Sequence, residues 1–270
     1  MAGKVGAIDF QLFLRKISLE RFFQSFYYFK WLEYPLVYNN LELKAGEQYL
    51  DIGSGKSIFP LFVVAKNNCN VHVFDDQSII KDSITYYQSN IRKMGLCNIS
   101  GKNFLIHEAT EKGQLDFPDN YFDRVSCISV LEHIKGNGDS VMMQEISRIL
   151  KKGGRAVITF PFNGKDYIEE DNPEGVGYFQ RKYSVAAIKE RIIDPANLKV
   201  KKVIYFGERY ISFGEQYLQN KFRKINWLIP LFAPILWRVC HYYEGEYRNF
   251  YERAIDKKGT GVACIVFDKI

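Results

Sequence analysis

The sequence predicts an α/β fold built on a doubly wound, mostly parallel sheet, and three observations predict it. Short apolar strands alternate with helix-length amphipathic stretches from Gln48 to Phe206. Two glycines, Gly53 and Gly55, close the first strand in the run Q-Y-L-D-I-G-S-G-K-S. A carboxylate, Asp75, ends the second strand 20 positions after Gly55.

Residues 8 to 38 are crowded with aromatics, and Phe22, Phe26 and Phe29 fall at helical spacing. One or two helices are expected there before Pro35. They form either a packing face against the main domain or a lid over a ligand pocket. Tyr49 to Ile52 is the first strand, and the apolar residues Ile58, Phe59, Leu61, Phe62 and Val63 open a helix after the glycines. Lacking a Cβ, Gly53 and Gly55 let the backbone pass close to a ligand and reach positive φ, which suits a nucleotide-like group. The same pattern also opens dinucleotide sites. Asn70 to Asp75 is an alternating strand, whose Asp75 is placed to accept hydrogen bonds from ribose hydroxyls while Asp76 is free to cap the next helix. His72, in mid-strand, reads as a core or surface histidine.

A helix over 78–94 closes near Gly95. The third strand, Lys102 to His107, ends at Glu108, Ala109 and Thr110, where polar groups would face a nucleotide base. The turn 116–120 leads into Tyr121 to Ser129, a near-continuous apolar strand of the buried parallel kind. It runs into Val130, Leu131, Glu132, His133 and Ile134, at the strand edge where open α/β sheets hold their sites. Asp139 is expected to cap a helix with Met142, Ile146, Ile149 and Leu150 on one face, ended by Lys151, Lys152, Gly153 and Gly154. Arg155 to Phe160 is the fifth strand, Pro161 to Gly177 a long polar loop, Tyr183 to Asp194 a helix and Leu198 to Phe206 the sixth strand. An aromatic-rich stretch, Gly207 to Gly261, precedes the last strand, Val262 to Phe267. The chain thus divides into a helical cap (1–44), a main domain (45–206 plus 262–270) and an insertion (207–261).

At 270 residues, 47% hydrophobic and 25% charged, the chain buries a substantial core and is not of the disordered class. The net charge of +6 is mild and fits an ordinary solvated surface. Cys69, Cys97, Cys127, Cys240 and Cys264 form no C-x-x-C pair and read as reduced, buried thiols rather than a disulfide frame or metal ligands. The N-terminus, MAGKVGAIDF, lacks the apolar core and cleavage site of a secretory signal. The longest apolar run, Ile225 to Trp237, is shorter than the roughly 20 residues that span a bilayer. A cytoplasmic protein is expected, able to lie against a membrane.

Five features occur in one order: D-I-G-S-G, an acid after the second strand, D-F-P-D-N-Y-F-D-R-V, S-V-L-E-H-I, and E-I-S-R-I-L-K-K-G-G-R-A-V-I-T-F-P. The series resembles the class I S-adenosylmethionine-dependent methyltransferases of the type 11 kind, particularly the ubiquinone and menaquinone biosynthesis branch. The likeness covers about 45–206 and again 262–267. It implies a Rossmann-like seven-stranded sheet of order 3-2-1-4-5-7-6 with an antiparallel last strand, and S-adenosyl-L-methionine as cofactor, leaving as S-adenosyl-L-homocysteine. Carried over, Asp51, Gly53, Ser54 and Gly55 would line the methionine end, Asp75 with Asp76 the ribose, and Glu108 with Ala109 the adenine. Ser129 and Val130 would border the sulfonium, with Glu132 and His133 beside them. Ser57 stands where many members have a third glycine. Some quinone-type relatives hold a divalent ion through E-x-x-E-H; the first acid is here Ser129, so no metal is expected.

Methyl transfer from a sulfonium asks the protein chiefly to align the acceptor and exclude water. A base is needed only when the acceptor must lose a proton. His133 is the candidate, since a histidine near pKa 6.5 accepts a proton at neutral pH; the alternative is that it packs beneath the acceptor pocket. S-V-L-E-H stands where nucleic-acid amine methyltransferases carry N-P-P-Y or D-P-P-Y, so a small-molecule or lipid-like acceptor is expected and not DNA or RNA. In 207–261, aromatics such as Tyr210, Trp227 and Trp237 interleave with Lys221, Arg223, Lys224 and Arg238. The pattern fits a membrane interface, an apolar acceptor pocket, or a packing or dimer surface. Two further classes stand beside this reading. A nicotinamide-dependent oxidoreductase would share the cradle and use the Y-x-x-x-K of Tyr178 to Lys182. A non-catalytic module would keep the fold for binding alone.

Overall fold

The computed structural model describes residues 4–17, 28–95, 103–108, 115–164, 166–171, 179–207 and 261–270. The strands are β1 (Gln48–Ile52), β2 (Asn70–Asp75), β3 (Phe104–Glu108), β4 (Phe122–Ile128), β5 (Leu150–Gly164), β6 (Ile168–Asp171), β7 (Phe179–Ser184), β8 (Lys199–Gly207) and β9 (Gly261–Asp268). β1 to β5 form a parallel run in the order β3-β2-β1-β4-β5. β9 pairs antiparallel with β5 and β8 antiparallel with β9. Without the hairpin β6–β7, this is the expected 3-2-1-4-5-7-6 with one antiparallel strand.

Helices cover both faces, because βα crossovers leave each side of a parallel sheet to be buried. On one face α1 (Ala7–Ile17), α2 (Tyr28–Leu41), α3 (Phe59–Asn67) and α4 (Gln77–Lys93) enclose a core of Phe10, Trp31, Tyr49, Phe59, Val71 and Tyr87. On the other, α5 (Gly138–Ile149) and α6 (Val185–Ile188) pack Met143, Ile146 and Ile188 over Leu50, Val125 and Ile158. The described residues before 45 therefore share the main core. Cys69, Cys127 and Cys264 are buried free thiols, as expected, while Cys97 and Cys240 lie outside the described residues.

Four expectations need correction. α2 does not stop before Pro35 but runs through it to Leu41. A mid-helix proline removes one backbone hydrogen bond, and burial of Trp31, Tyr34, Val37 and Leu41 offsets that loss. Residues 161–177 are not one polar loop: β5 extends to Gly164, and β6 pairs antiparallel with β7, Glu169 opposite Arg181. The helix expected from Tyr183 starts at Val185, where the Ser184 hydroxyl accepts the Ala187 N–H, and it passes into a π turn, Lys189–Ile193. Finally, Asn137 and not Asp139 occupies the N-cap of α5. Asp139 is wholly buried, held by Arg191 and Tyr183. Gly207 pairs with Gly261, so the 207–261 insertion leaves and rejoins the sheet at one point, and its aromatic and basic residues lie outside the described residues.

Candidate cofactor and acceptor site

β1 ends at Ile52, and Gly53 turns away with φ 69°. A Cβ on Gly53 would overlap the Val130 side chain, so only glycine lets this turn pass under the end of β4. The Gly53 and Ser54 N–H groups donate to the Phe74 carbonyl at 2.8 and 3.4 Å, tying the cradle to the end of β2. Gly55, at φ 49°, donates its N–H to Asp75 Oδ2. Asp75 Oδ1 accepts the Asp76 N–H at 2.8 Å. Cradle and carboxylate therefore converge at one sheet edge. Burial lifts the Asp75 carboxyl above its ordinary pKa, against the backbone donors of Gly55 and Asp76. Asp76 itself is exposed.

Asp51, at the foot of this cradle, is 3% exposed. Its carboxylate accepts from Ser126 Oγ, which also meets the Tyr49 hydroxyl at 2.5 Å. The Ser54 hydroxyl donates to the Asp51 carbonyl at 2.8 Å. Burial pushes Asp51 up to about 6, with the Ser126 hydroxyl pulling the other way. At the neighbouring edge, Glu108 is exposed and lines a cavity of about 420 Å³ with Phe74, His107, Asp116 and Phe117. Ala109 lies outside the described residues. His72 is a core histidine: its Nδ1 meets His107 Nε2 at 2.9 Å and its Nε2 meets Gln48 at 3.0 Å, and burial pulls it down to about 4.

The chain leaves β4 through Ser129, at φ 55°, and enters a 3-10 turn, Leu131–His133. Here α2 reaches the sheet edge with Lys30, Glu33 and Tyr34. Glu33, 1% exposed, accepts Thr159 Oγ1 at 2.6 Å and Ser129 Oγ at 2.9 Å on one oxygen, and Lys30 Nζ at 2.6 Å on the other. Lys30 Nζ also donates to Ser129 Oγ at 3.1 Å. Burial pulls the Lys30 ammonium down, but Glu33 and Tyr34 more than offset it and hold it above its ordinary value. The Tyr34 and Ser57 hydroxyls meet at 3.0 Å. α2 thus packs into the core and also caps the strand edge.

Glu132 follows on the turn, 1% exposed, and its Oε2 has no hydrogen-bond partner among the described residues. Burial pushes its carboxyl up to about 8, opposed by its own backbone N–H and by Lys30. His133 is exposed, and its Nδ1 lies 2.8 Å from the Phe179 carbonyl. A carbonyl only accepts, so this contact assigns the ring hydrogen to Nδ1 and the lone pair to Nε2, 3.9 Å from Glu132 Oε1. Burial lowers His133 below its ordinary pKa; the Phe179 carbonyl opposes and Lys30 adds to the fall.

The structure brings together Gly53, Ser54, Gly55, Asp75, Ser129, Val130, Glu132 and His133, and sets Glu108 and Asp76 at the rim. Sequence reasoning missed Lys30, Glu33, Thr159 and the Phe179 carbonyl. A signal existed for three of them. Lys30 and Glu33 are opposite charges one turn apart inside an aromatic helix, and Thr159 is the one hydroxyl in the apolar run A-V-I-T-F. Among the described residues no group of three or more His, Cys, Asp or Glu is arranged to hold a metal ion.

Residues 50–158 match the methyltransferase domain family. The phosphoethanolamine N-methyltransferase of Plasmodium falciparum (isolate 3D7) is 26% identical over 155 residues, 57% of this chain and 53% of that protein. The chain spans about half the length of this curated relative. Among solved structures, coclaurine N-methyltransferase bound to N-methylheliamine and SAH superposes with a TM-score of 0.61 at 15% identity, over 96% of this chain and 78% of that one. The [4+2]-cyclase SpnF superposes at 0.57 and 18% identity, over 87% and 80%. At these identities the likeness is one of fold.

Proposed function

Residues 50–158 carry a methyltransferase domain on the class I fold, and from that premise we propose that the chain is an S-adenosyl-L-methionine-dependent methyltransferase acting on a small-molecule acceptor. One observation carries the reading: the glycine cradle, Asp75 and the Glu132–His133 turn converge at one sheet edge, where a buried carboxyl oxygen of Glu132 has no partner among the described residues. The cradle fits a nucleoside with a charged tail. Gly53 lets the turn pass under Val130, Gly55 adds no side chain beside Asp75, and Asp75 and Asp76 offer carboxylates to a ribose. Glu108, with Ala109, would face the base, and Ser129 and Val130 the sulfonium side. The cofactor supplies an activated methyl group.

The chain's own residues then orient the acceptor and take its proton. An acceptor N–H or O–H that loses its hydrogen on methylation hands it to His133 Nε2, giving an imidazolium that keeps Nδ1–H on the Phe179 carbonyl. Glu33 neutralises Lys30 through their 2.6 Å contact, and Glu132, pushed up to about 8, holds its proton at neutral pH. The amine chemistry in the names of two relatives is what favours an amine acceptor above a phenol. An apolar or lipid-linked portion of the acceptor would fall to 207–261, and liposome sedimentation tests that part.

Calorimetry with S-adenosylmethionine, S-adenosylhomocysteine and NAD is the direct experiment. Binding of the first two at micromolar concentration and silence with NAD is expected; NAD binding alone would return the oxidoreductase reading. That reading has less support, since Lys182 pairs with Glu170 on β7 and Tyr178 lies outside the described residues. The cyclase neighbour makes the second arm necessary, because a fold does not fix its chemistry. Methyl transfer to a panel of primary and secondary amines is expected, and cofactor binding without transfer to any acceptor would leave a binding module.

A further inference from the structure

The β6–β7 hairpin lies outside the cradle and joins the sheet only at the end of β5, where β7 pairs at Phe162 and Gly164, yet it grips the turn that carries Glu132 and His133. Its Arg181 is fully buried. The guanidinium donates through Nη1 to the Ile134 carbonyl and, at 3.5 Å, to Leu131, through Nη2 to Gly136 at 2.6 Å, and through Nε to Glu169 Oε1 at 2.9 Å. It also stacks on the Phe179 ring, 4.6 Å from the centroid. From the π turn, Arg191 donates to the same Gly136 carbonyl at 2.6 Å and to both oxygens of Asp139 at 2.8 and 2.7 Å. π turns recur at functional sites, and this one aims a guanidinium at the back of the active-site turn. Carbonyls in an irregular turn need donors. Those of residues 134 and 136 find them on Arg181, shared at Gly136 with Arg191, while the Leu131 carbonyl also accepts the Ile134 N–H at 3.3 Å.

The same hairpin supplies the acceptor for the histidine ring, the Phe179 carbonyl at 2.8 Å. An unrestrained neutral imidazole carries its hydrogen on either nitrogen, and only one tautomer leaves Nε2 able to take a proton. We propose that the β6–β7 hairpin arms His133: Arg181 holds the 131–136 turn against β7, so that the Phe179 carbonyl keeps the hydrogen on Nδ1 and the lone pair on Nε2. Arg181 is then a positioning residue, acting through the turn. The inference rests on the reading of His133 as proton acceptor.

The chain holds four histidines, so ¹⁵N-histidine labelling resolves the rings, with His133 identified by its loss in His133→Gln. The parent spectrum is expected to show hydrogen on Nδ1. Arg181→Lys, and the milder Glu169→Gln that leaves the buried guanidinium in place, should move part of the His133 population to the other tautomer. They should lower kcat by about tenfold with KM for the cofactor unchanged. The acid limb of the rate profile should move to lower pH as the carbonyl partner is lost, while Lys30 and Glu132, the titratable groups set against the ring, stay as they are. A parent ring with hydrogen on Nε2, or variants that lose rate with an unchanged ring spectrum, would overturn the proposal. The spectrum is read without turnover, so the base reading fails separately, by full turnover in His133→Gln.

Discussion

The cofactor side and the acceptor side of this site are built by different means. Gly53, Gly55 and Asp75 come from one βαβ unit, and backbone hydrogen bonds to Phe74 and Asp75 hold them. Lys30, Glu33, Ser129, Glu132, Thr159 and the Phe179 carbonyl come from five elements, joined by buried charges. A cradle of that first kind tolerates change in its neighbours, because a peptide group is the same whatever side chain it carries. The acceptor side can be retuned by one side chain from a remote helix. On the proposed reading, binding of the cofactor is thus separated from choice of acceptor.

The largest expected effect breaks the cradle. Gly53→Ala forces a Cβ into Val130 at positive φ, and about 3 to 5 kcal/mol of stability should go, read from urea unfolding. An unchanged urea midpoint would mean that the cradle is looser than its contacts imply. On the other side, Glu33→Ala leaves Lys30 beside two stranded hydroxyls and should cost about 3 kcal/mol, with Glu33→Gln recovering part of it.

Glu132 sharpens the contrast through pH. Its folded pKa, about 8, stands above the ordinary 4.5. The folded state therefore holds a proton that the unfolded chain releases, and stability falls as pH rises between those values and levels off above them. The loss by pH 7 is roughly 3 kcal/mol. Glu132→Gln should flatten the dependence of Tm on pH between 5 and 8, and a parent whose Tm is level there contradicts the assignment. For His133→Gln, a drop of about 100-fold in kcat is expected with cofactor affinity intact. Because burial lowers the ring's pKa, the parent rate should rise through a pH below 6.5 and then hold level. The smallest effect is at Asp75→Asn, where cofactor affinity should weaken about tenfold, or about 1.4 kcal/mol, by calorimetry. Equal loss of affinity in His133→Gln and Asp75→Asn would erase the distinction between the two sides.

Legibility in the sequence follows the same division. The strands β1, β2, β4, β5 and β9 and the three cradle residues were readable because apolar runs and glycine act locally, while the order of the central sheet came from the family resemblance. The β6–β7 hairpin was not. I-E-E-D and F-Q-R-K-Y-S carry almost no apolar alternation, and what pairs them is Glu169 opposite Arg181 and Glu170 bridged to Lys182. Asp139 looked like a helix cap because aspartate is a common one. Its true partners, Tyr183 and Arg191, lie 44 and 52 residues away. Pro35 looked like a helix end for the same reason, local preference overruled by burial.

By itself the sequence determined the doubly wound sheet, the glycine turn with its carboxylate, and the family that the main domain resembles, since each is written in spacing along the chain. Only the tertiary structure decided that α2 delivers Lys30 and Glu33 to Ser129 and Thr159, that Asp51 meets Ser126 below the cradle, and that a polar hairpin sets the Phe179 carbonyl against His133. Those contacts join residues 75 to 126 positions apart or turn on which nitrogen meets a carbonyl. Side-chain charge and hydrogen-bond geometry act across space, and no periodicity in the chain records them.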